Sequence, residues 1–341
     1  MPQSADPISR RRVNVTGVLT AAGGLVLLIV VVLRVGAAEI IADVRQVGWG
    51  LVAIIAIGGL RFLLRAIAWR LCLEPPHTMT MRDAFAAVIC GDAIGNLTPL
   101  GPLVGEPAKA AFVRGRVALA PAVTALAIEN VLYTLSAAAM IAAGMVALLF
   151  RFQLPAAYAR AGELAVVATL ALFVLALWLL WRQPALISRA LPLAPPLMKH
   201  AERVRQLESQ IYTFASRHPR LLASLAMAEL GFHALGVAEV YLTLWLLNVP
   251  TTSLLTAFLF ETANRLITVV FKFIPLRLGV DETGTAWFAQ MIGLTARTGL
   301  SIGIIRRARV LFWAAAGGVL LVREGFVPRA PQIPQDRVER G

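Results

Sequence analysis

The chain has few of the residues that build disulfide frameworks or soluble catalytic domains. Only 2 cysteines, Cys72 and Cys90, occur among 341 residues; without a C-x-x-C spacing they indicate neither a disulfide framework nor a zinc site. Charged residues make up 15% of the chain, whereas soluble domains carry about 25%. There is no Ser-His-Asp set, P-loop or H-E-x-x-H motif. These absences argue against a soluble enzyme, and no cofactor is expected.

What the chain does contain is long apolar sequence. Hydrophobic residues make up 58% of it, and its mean hydropathy is +0.75. Because about 20 apolar residues cross a bilayer as a helix, we predict an all-α, polytopic membrane helix bundle. The predicted full spans lie near residues 14–36, 47–69, 117–150, 162–181, 219–248 and 298–322.

Two further apolar stretches, near residues 84–113 and 253–292, are interrupted by proline and glycine. Broken backbone is tolerated at membrane depth only where it is buried in protein or lines a cavity. We predict that each stretch is re-entrant or forms a pair of short helices. Two additional full spans, eight in all, are the alternative.

The basic residues predict the orientation. The net charge is +13, and arginines cluster before the first span, in the central loop and after the last span. Because such residues concentrate on the cytoplasmic side, we expect a multi-pass protein of the bacterial cytoplasmic (inner) membrane with both termini and the 183–218 loop in the cytoplasm. Basic residues that flank spans favour anionic lipid headgroups as partners and argue against nucleic acid.

The expected domain organisation is one transmembrane domain between two cytoplasmic tails. The segments are the tail 1–13, the domain 14–323 with halves 47–150 and 219–322, and the tail 324–341. Between the halves, apolar residues in segment 197–218 recur at helical spacing. This pattern predicts an amphipathic helix on the cytoplasmic membrane surface; an interface for a protein partner is the alternative.

The two broken stretches carry the same pattern. They read Pro99-Leu100-x-x-x-Val104-x-Glu106-x-x-x-Ala110-x-Phe112 and Pro275-Leu276-x-x-x-Val280-x-Glu282-x-x-x-Ala286-x-Phe288, offset by 176 residues throughout. Three predicted full spans separate them, so the second copy is expected upside down relative to the first. Paired, interrupted segments of this kind indicate the binding site of a transporter.

The stretch from Gly91 to Lys109 is the richest in polar and helix-breaking residues. It contains Asn96, and Glu106 suits the first turn of a helix, where free N–H groups can hold an anion. Lys109 and Arg114 are expected further along that helix. The functional interpretation is a phosphate or headgroup cradle with Glu106 as a gate or proton acceptor. The structural alternative is that Glu106 caps its helix and pairs with Lys109.

Other ionisable residues lie inside apolar sequence, where a charged side chain costs free energy and usually has a function. Glu129 is expected to face the bundle interior, as a substrate contact or as the partner of an arginine. Glu261 and Arg265 are an i, i+4 pair that can simply neutralise each other. The candidate headgroup residues are Asn96, Glu106, Lys109, Arg114, Glu129, Glu282, Arg306 and Arg307, with Arg61, Arg65, Glu261, Arg265, Lys272 and Asp281 in a second rank.

Three arginines in the last span, at positions 306, 307 and 309, lie too deep for all of them to be surface anchors. Since arginine forks suit phosphate oxygens, they predict a wet cavity that attracts anions. Glu229 and His233, four residues apart, can hold a metal or relay protons, but two residues without a third ligand more simply form a polar face along the cavity. No metal site is expected.

At these residues the sequence resembles a known family. Asn96-x-x-Pro99 followed by Gly105-Glu106, then Glu129, Pro275-x-x-x-Gly279-x-x-Glu282 and an arginine in the final span are similar to the flippase-like domain of bacterial lysylphosphatidylglycerol synthases. That resemblance covers about residues 15–323. It implies movement of a phospholipid or polyprenyl-type lipid across the cytoplasmic membrane; lysine transfer, which belongs to the synthase's soluble domain, is not implied.

We therefore expect a lipid translocator that moves a phospholipid, isoprenoid or glycolipid. A membrane-embedded transferase, or an accessory subunit of a hopanoid or glycolipid pathway, is the alternative. An enzyme needs polar residues concentrated on one membrane face, whereas a translocator needs them in both halves, as the sequence has them. A third hypothesis is a structural protein that recruits a lipid-biosynthetic enzyme through segment 197–218.

Overall fold

A computed structural model describes residues 37–98, 101–152, 156–182, 201–271 and 274–324. These ranges contain eleven α-helices, one 3-10 turn and no strand, which confirms the predicted all-α membrane bundle. The helices are α1 Ala37–Val47, α2 Gly50–Leu71, α3 Met81–Leu97, α4 Pro102–Phe112, α5 Leu119–Arg151, α6 Ala156–Arg182, α7 Ala201–Arg217, α8 Pro219–Leu246, α9 Leu254–Val270, α10 Val280–Met291 and α11 Ala296–Glu324. The predicted span 14–36 and both tails, apart from Glu324, lie outside the described residues.

Four of the described helices are long and apolar enough to cross a membrane: α2, α5, α6 and α8. They lie where four of the full spans were predicted. Helix α11 occupies the position of the last predicted span and has 29 residues, which corresponds to about 43 Å of helix. Like α2, which contains Arg61 and Arg65, it carries arginines midway along its length, and these need partners inside the bundle.

Both interrupted stretches fold as pairs of short helices, as predicted. The first forms α3 and α4, which pack against each other; the second forms α9 and α10, with the 3-10 turn Pro275–Arg277 between them. In the first hairpin, Arg116 beyond the end of α4 is 3.1 Å from Asp83 in the first turn of α3. That hairpin therefore begins and ends at the same end of the bundle.

Local sequence determines where the first hairpin turns. The Thr80 side chain accepts a hydrogen bond from Asp83 N at 3.2 Å and caps the start of α3. At the turn, Gly101 has a φ of +44°, a left-handed conformation that glycine tolerates best. The two helices then approach closely, because a Cβ on Gly105 would lie 2.7 Å from the Gly91 carbonyl oxygen. Glycine at these positions is what lets the hairpin close.

The second turn is more strained than the first. Leu276 and Arg277 have φ values of +51° and +48°, a backbone conformation that residues with a Cβ rarely adopt. Arg307 of α11 donates hydrogen bonds to both of their carbonyl oxygens, that of Leu276 and that of Arg277, the latter at 3.2 Å. Gly279, with a φ of +75°, then begins α10. A side chain from another helix therefore holds this turn in place.

The described part of the apolar core contains two large clusters and a smaller one of Val47, Ile54 and Ile305. The Trp69 cluster joins the end of α2 to the starts of α3, α5 and α8, and includes Trp69, Ala87, Val113, Phe214 and Leu225. The Phe260 cluster joins the ends of α5, α8 and α10 to α9, and includes Leu148, Leu244, Phe260, Phe288 and Ala289. Buried charged side chains lie between the two large clusters, halfway along the long helices. We call this region the polar layer.

The predicted amphipathic helix in segment 197–218 is present as α7, residues Ala201–Arg217; residues 197–200 are not described. Its Phe214 is 2% exposed and belongs to the Trp69 cluster, with Ile211 packed beside it. Thr124 of α5 donates to Gln210 of α7 at 2.7 Å. Part of the apolar face of α7 is therefore covered by the protein's own bundle, which leaves less of it for a membrane surface or a protein partner.

Candidate functional site

The polar layer encloses a cavity of about 280 Å³. Its wall is contributed by α2, both helices of the first hairpin, α5, α8, α9, the 3-10 turn and α11. Arg61 in this wall is the twelfth residue of the 22-residue α2, so at 1.5 Å per residue it lies about 16 Å from either end of that helix. The cavity is therefore near the middle of the bundle.

The cavity wall is strongly cationic. Among the described residues, two carboxyl groups line it, Asp92 and Glu106, against seven basic side chains: Arg61, Arg65, Lys109, Arg265, Arg277, Arg306 and Arg309. The concave wall and its low-dielectric surroundings concentrate the field of these charges on whatever enters. Such a wall attracts anions.

Two of the basic side chains at one side of the cavity have close partners. Lys109 Nζ lies 2.6 Å from Glu106 Oε1, and Asn130 donates to the other Glu106 oxygen at 2.9 Å. Arg65 binds Glu129 through two nitrogens, at 2.8 and 3.0 Å. The geometry agrees with the structural interpretation of Glu106, which pairs with Lys109, and gives Glu129 the arginine partner that was one of its two predicted roles.

At the other side, two buried carboxylates each bind several arginines. Glu239 lies 3.2 Å from Arg61 and 2.7 Å from Arg309. Glu261 lies 3.3 Å from Arg61 and 2.7 Å from Arg265. These contacts connect α2, α8, α9 and α11, and the predicted pair of Glu261 with Arg265 is one link in a larger network.

Arg306 is the exception among the arginines of the wall. It is 6% exposed, and neither of its terminal nitrogens has a hydrogen-bond partner among the described residues. Its nearest carboxylate oxygen, Glu261 Oε2, is 3.5 Å away, and Glu261 already binds two other arginines. A buried guanidinium whose terminal nitrogens make no hydrogen bond costs free energy, and among the described residues the 3.5 Å ion pair with Glu261 is what offsets that cost.

Two aromatic rings complete the wall. Phe232 lies under the guanidinium groups of Arg61 and Arg265, with 4.5 and 4.9 Å from the ring centroid to the guanidinium carbon. Tyr133 supports Arg65 in the same way at 4.3 Å. Cation–π contacts of this kind hold these arginines in place in addition to their ion pairs with Glu129, Glu239 and Glu261.

Four of the predicted site residues have another role or position. Arg307 Nε lies 2.7 Å from Glu282 Oε1, and Asp281 lies 3.1 Å from Arg277. Of the four residues in these two pairs, only Arg277 belongs to the described cavity wall. Glu282, Asp281 and Arg307 brace the second turn, and Arg114 is exposed beyond Phe112, where α4 ends, so the prediction that it continues that helix is wrong.

The remaining predictions have mixed outcomes. Asn96 lines the cavity and donates to Asp92 Oδ2 at 2.8 Å. Glu129 lies behind Arg65, outside the cavity wall among the described residues. Lys272 is not among the described residues. Sequence reasoning had noted Arg309 as a deep arginine but left it out of the candidate set. The other polar or charged wall residues left out, with two of the aromatic ones, are Asp92, Asn130, Tyr133, Phe232, Asn264, Thr268 and Arg277.

Glu229 and His233 do not line the cavity as the simpler interpretation expected. They lie behind Tyr133 and Phe232, where Ser136 connects them. Within the described ranges, no group of three or more His, Cys, Asp or Glu side chains could hold a metal ion. The chemistry of this site is therefore that of arginines, carboxylates and aromatic rings.

Comparison with known protein families agrees with a membrane-embedded fold. No curated protein and no solved structure matches the chain. The family model described as the lysylphosphatidylglycerol synthase TM region matches residues 14–318, which is most of the chain and includes every described residue of the cavity wall. The chain therefore belongs to the lysylphosphatidylglycerol synthase transmembrane region family, whose membership places it among membrane proteins that act in lipid metabolism.

Proposed function

We propose that this protein is a lipid translocator that moves a phosphate-bearing phospholipid, isoprenoid or glycolipid across the cytoplasmic membrane, with the headgroup passing through the cavity. The observation that carries the proposal is Arg306. It is a buried guanidinium at the wall of a polar cavity, and its terminal nitrogens make no hydrogen bond among the described residues, although Glu261 lies 3.5 Å away as an ion-pair partner. A guanidinium fork matches two oxygens of a phosphate, the group that membrane lipids bring to this depth.

The size of the cavity supports a headgroup as the occupant. Pockets that enclose a whole drug-sized ligand measure about 300–1,000 Å³, and this one measures about 280 Å³. That volume holds a headgroup but not two acyl chains. Exposed apolar side chains such as Leu230, Trp245 and Val269 cover the outside of the bundle, where acyl chains can stay in the bilayer while the headgroup moves through protein.

The arrangement of the two hairpins supports movement between the leaflets. The ends of the first hairpin lie in the Trp69 cluster, and α9 and α10 contribute to the Phe260 cluster at the other end of the bundle. The turns of both hairpins, at Gly101 and Leu276, reach the cavity. Broken helices that approach a central site from opposite sides are the arrangement of alternating-access transporters with inverted repeats, and we propose that the two hairpins are such repeats.

The same geometry favours a translocator over a membrane-embedded transferase. A transferase acts on a headgroup at one membrane face, where its polar residues should concentrate. Here the cationic residues come from both halves of the chain and meet halfway along the helices. In addition, the buried carboxylates Glu129, Glu239 and Glu261 are bound to arginines, so they serve as counter-charges and are not poised as catalytic acids or bases.

The proposal is tested with purified protein in vesicles that contain a trace of tail-labelled phosphatidylglycerol. A membrane-impermeant quencher bleaches the outer leaflet, and the label that moves outward is then followed over time. We expect faster loss of the inner-leaflet signal than in protein-free vesicles, and slower movement of tail-labelled glucosyl diacylglycerol, whose polar but uncharged headgroup has no phosphate. Equal rates with and without protein would contradict a translocator, and equal rates for the two lipids would contradict a phosphate site.

A further inference from the structure

A second buried polar cluster lies beside the cavity and contributes nothing to its described wall. Glu229 and His233 lie one turn apart on α8 and are 3% and 7% exposed. The Ser136 hydroxyl of α5 lies 3.0 Å from His233 Nε2 and 3.4 Å from Glu229 Oε2. The three side chains form a hydrogen-bonded chain between α5 and α8, which we call the Glu229 cluster.

The geometry of the Glu229 cluster differs from that of a hydrolytic triad. In a triad the acidic residue binds histidine Nδ1, so that Nε2 can accept the serine proton. Here His233 Nδ1 has no hydrogen-bond partner among the described residues, and Glu229 contacts Ser136 instead of the imidazole. The chemistry that remains for these three groups is the binding and exchange of a proton.

Glu229 has no arginine or lysine within ion-pair distance in the described part of the chain. The other carboxyl groups buried in the polar layer have such a partner, except Asp92, which lines the cavity and accepts from Asn96. The charged groups that act on the cluster through space are Arg61 and Arg65 on α2, Glu129 on α5, and Glu261 and Arg265 on α9. On α11, Arg309 binds Glu239 instead, and α7 brings the apolar Phe214 to this side.

Tyr133 connects the cluster to the cavity. Its ring stacks on His233, with centroids 6.3 Å apart and an interplanar angle of 15°. Its hydroxyl accepts a hydrogen bond from Arg265 at 3.0 Å, and both Tyr133 and Arg265 line the cavity. A change of charge at Glu229 or His233 therefore changes the electrostatic potential at the arginines that line the cavity.

The described charges of the polar layer balance when Glu229 is ionised. Eight basic side chains, Arg61, Arg65, Lys109, Arg265, Arg277, Arg306, Arg307 and Arg309, face eight carboxyl groups, Asp92, Glu106, Glu129, Glu229, Glu239, Glu261, Asp281 and Glu282. A lipid phosphodiester adds one negative charge. An uncompensated charge in a water-poor interior is costly, so uptake of one proton restores the balance.

We propose that the Glu229 cluster is a proton site coupled to the headgroup cavity, so that one proton is bound when an anionic headgroup enters and is released when it leaves. This inference rests on the proposed transport function and adds an energy source to it. The proton comes from water, binds a carboxylate oxygen of Glu229 with Ser136 and His233 as the hydrogen-bonded path, and returns to water as the phosphate departs. Transport then follows a proton gradient without net movement of charge.

The test measures protons and lipid together. Detergent-solubilised protein is titrated with short-chain phosphatidylglycerol in weakly buffered solution with a pH indicator. We expect uptake of about one proton per bound lipid, and, by linkage, an affinity that weakens by up to about tenfold per unit rise in pH. Short-chain phosphatidylcholine, which is zwitterionic, should cause no uptake.

The decisive variant is Glu229→Gln, which keeps the size of the side chain and removes the proton site. It should bind phosphatidylglycerol with no proton uptake and no pH dependence, and in vesicles it should move lipid without acceleration by an imposed pH gradient. Glu163→Gln, an exposed change on α6, is the matched control and should behave as wild type. If Glu229→Gln does not fold, Ser136→Ala should slow proton uptake several-fold in stopped-flow mixing.

Each failure has a distinct meaning. Lipid binding by wild type without proton uptake, or normal uptake by Glu229→Gln, would overturn the proton site and leave the translocator intact. An unchanged uptake rate in Ser136→Ala would overturn the path. Absence of any lipid binding by wild type would instead contradict the proposed function, and the proton site with it.

Discussion

Arg307 Nε donates to Glu282 Oε1 across 2.7 Å, and this bond ties the last helix to the first turn of α10. Glu282 is 0% exposed and Arg307 is 8% exposed. Because Arg307 also donates to the carbonyl groups of Leu276 and Arg277, one side chain binds one oxygen of a buried carboxylate and a strained turn together. The sequence repeat pairs Glu282 with Glu106, but the two carboxylates have different tasks: Glu106 faces the cavity beside Lys109, and Glu282 braces the scaffold.

We predict that Arg307→Gln destabilises the protein more than it affects headgroup binding. Loss of one partner leaves Glu282 buried without a counter-charge, which typically costs about 3–5 kcal/mol. Thermal unfolding in detergent should show a clearly lower midpoint for Arg307→Gln. The double variant Glu282→Gln with Arg307→Gln should recover part of the loss, since it leaves no unpaired charge. A single variant as stable as wild type would show that the pair does not hold the second turn.

Glu106→Gln is predicted to affect headgroup binding more than it affects stability. The carboxylate lines the cavity, so a neutral amide there removes repulsion toward a phosphate and leaves Lys109 free to bind it. One unit charge about 4 Å away in water contributes about 1 kcal/mol, so we expect about fivefold tighter binding of short-chain phosphatidylglycerol and slower release. Stability should fall less than in Arg307→Gln. Weaker binding would show that Glu106 itself contacts the headgroup favourably.

The close contact of the first hairpin gives a prediction with a matched control. A Cβ on Gly105 would lie 2.7 Å from the Gly91 carbonyl oxygen and 3.1 Å from the Gly95 Cα, whereas nothing lies within 4 Å of a Cβ on Gly115. Gly105→Ala should therefore separate α3 from α4 and destabilise the protein by about 1–3 kcal/mol. Gly115→Ala should leave the unfolding midpoint unchanged. Equal stability of the two variants would mean that the helices do not meet at these glycines.

The proposed orientation is tested by cysteine labelling in intact cells, since the native Cys72 and Cys90 are buried. Ser216, in the last turn of α7 just before α8 begins, and Thr251, just beyond the other end of α8, are both exposed. A membrane-impermeant maleimide should label Thr251→Cys and leave Ser216→Cys unlabelled until the membrane is permeabilised. The reverse pattern would invert the protein and contradict the positive-inside argument.

Local patterns in the sequence were enough for the helices and for pairs within one helix. Apolar runs predicted α2, α5, α6 and α8, and proline and glycine predicted the two breaks. The pair Glu261–Arg265 and the pair Glu106–Lys109 follow from spacings of four and three residues. Helix α1 was not predicted, because its eleven residues are too few to form a span.

Partners from distant helices could not be predicted from spacing. The contacts of Arg65 with Glu129, and of Glu239 with Arg61 and Arg309, join residues 64 or more positions apart. For the same reason the three deep arginines were indistinguishable in sequence, although adjacent residues on a helix point about 100° apart. In the folded protein Arg307 binds Glu282, Arg309 binds Glu239, and Arg306 lines the cavity.

Binding of a lipid phosphate by Arg306 is measured by the rate at which Arg306→Gln moves tail-labelled phosphatidylglycerol between the leaflets of vesicles. Hydrogen bonds to charged groups contribute about 1.5–3 kcal/mol, so we expect a rate lower by about tenfold or more, with partial recovery in Arg306→Lys. Arg323→Gln, an exposed change in the last turn of α11, should retain the wild-type rate. Folded Arg306→Gln protein that moves lipid as fast as wild type would contradict the account.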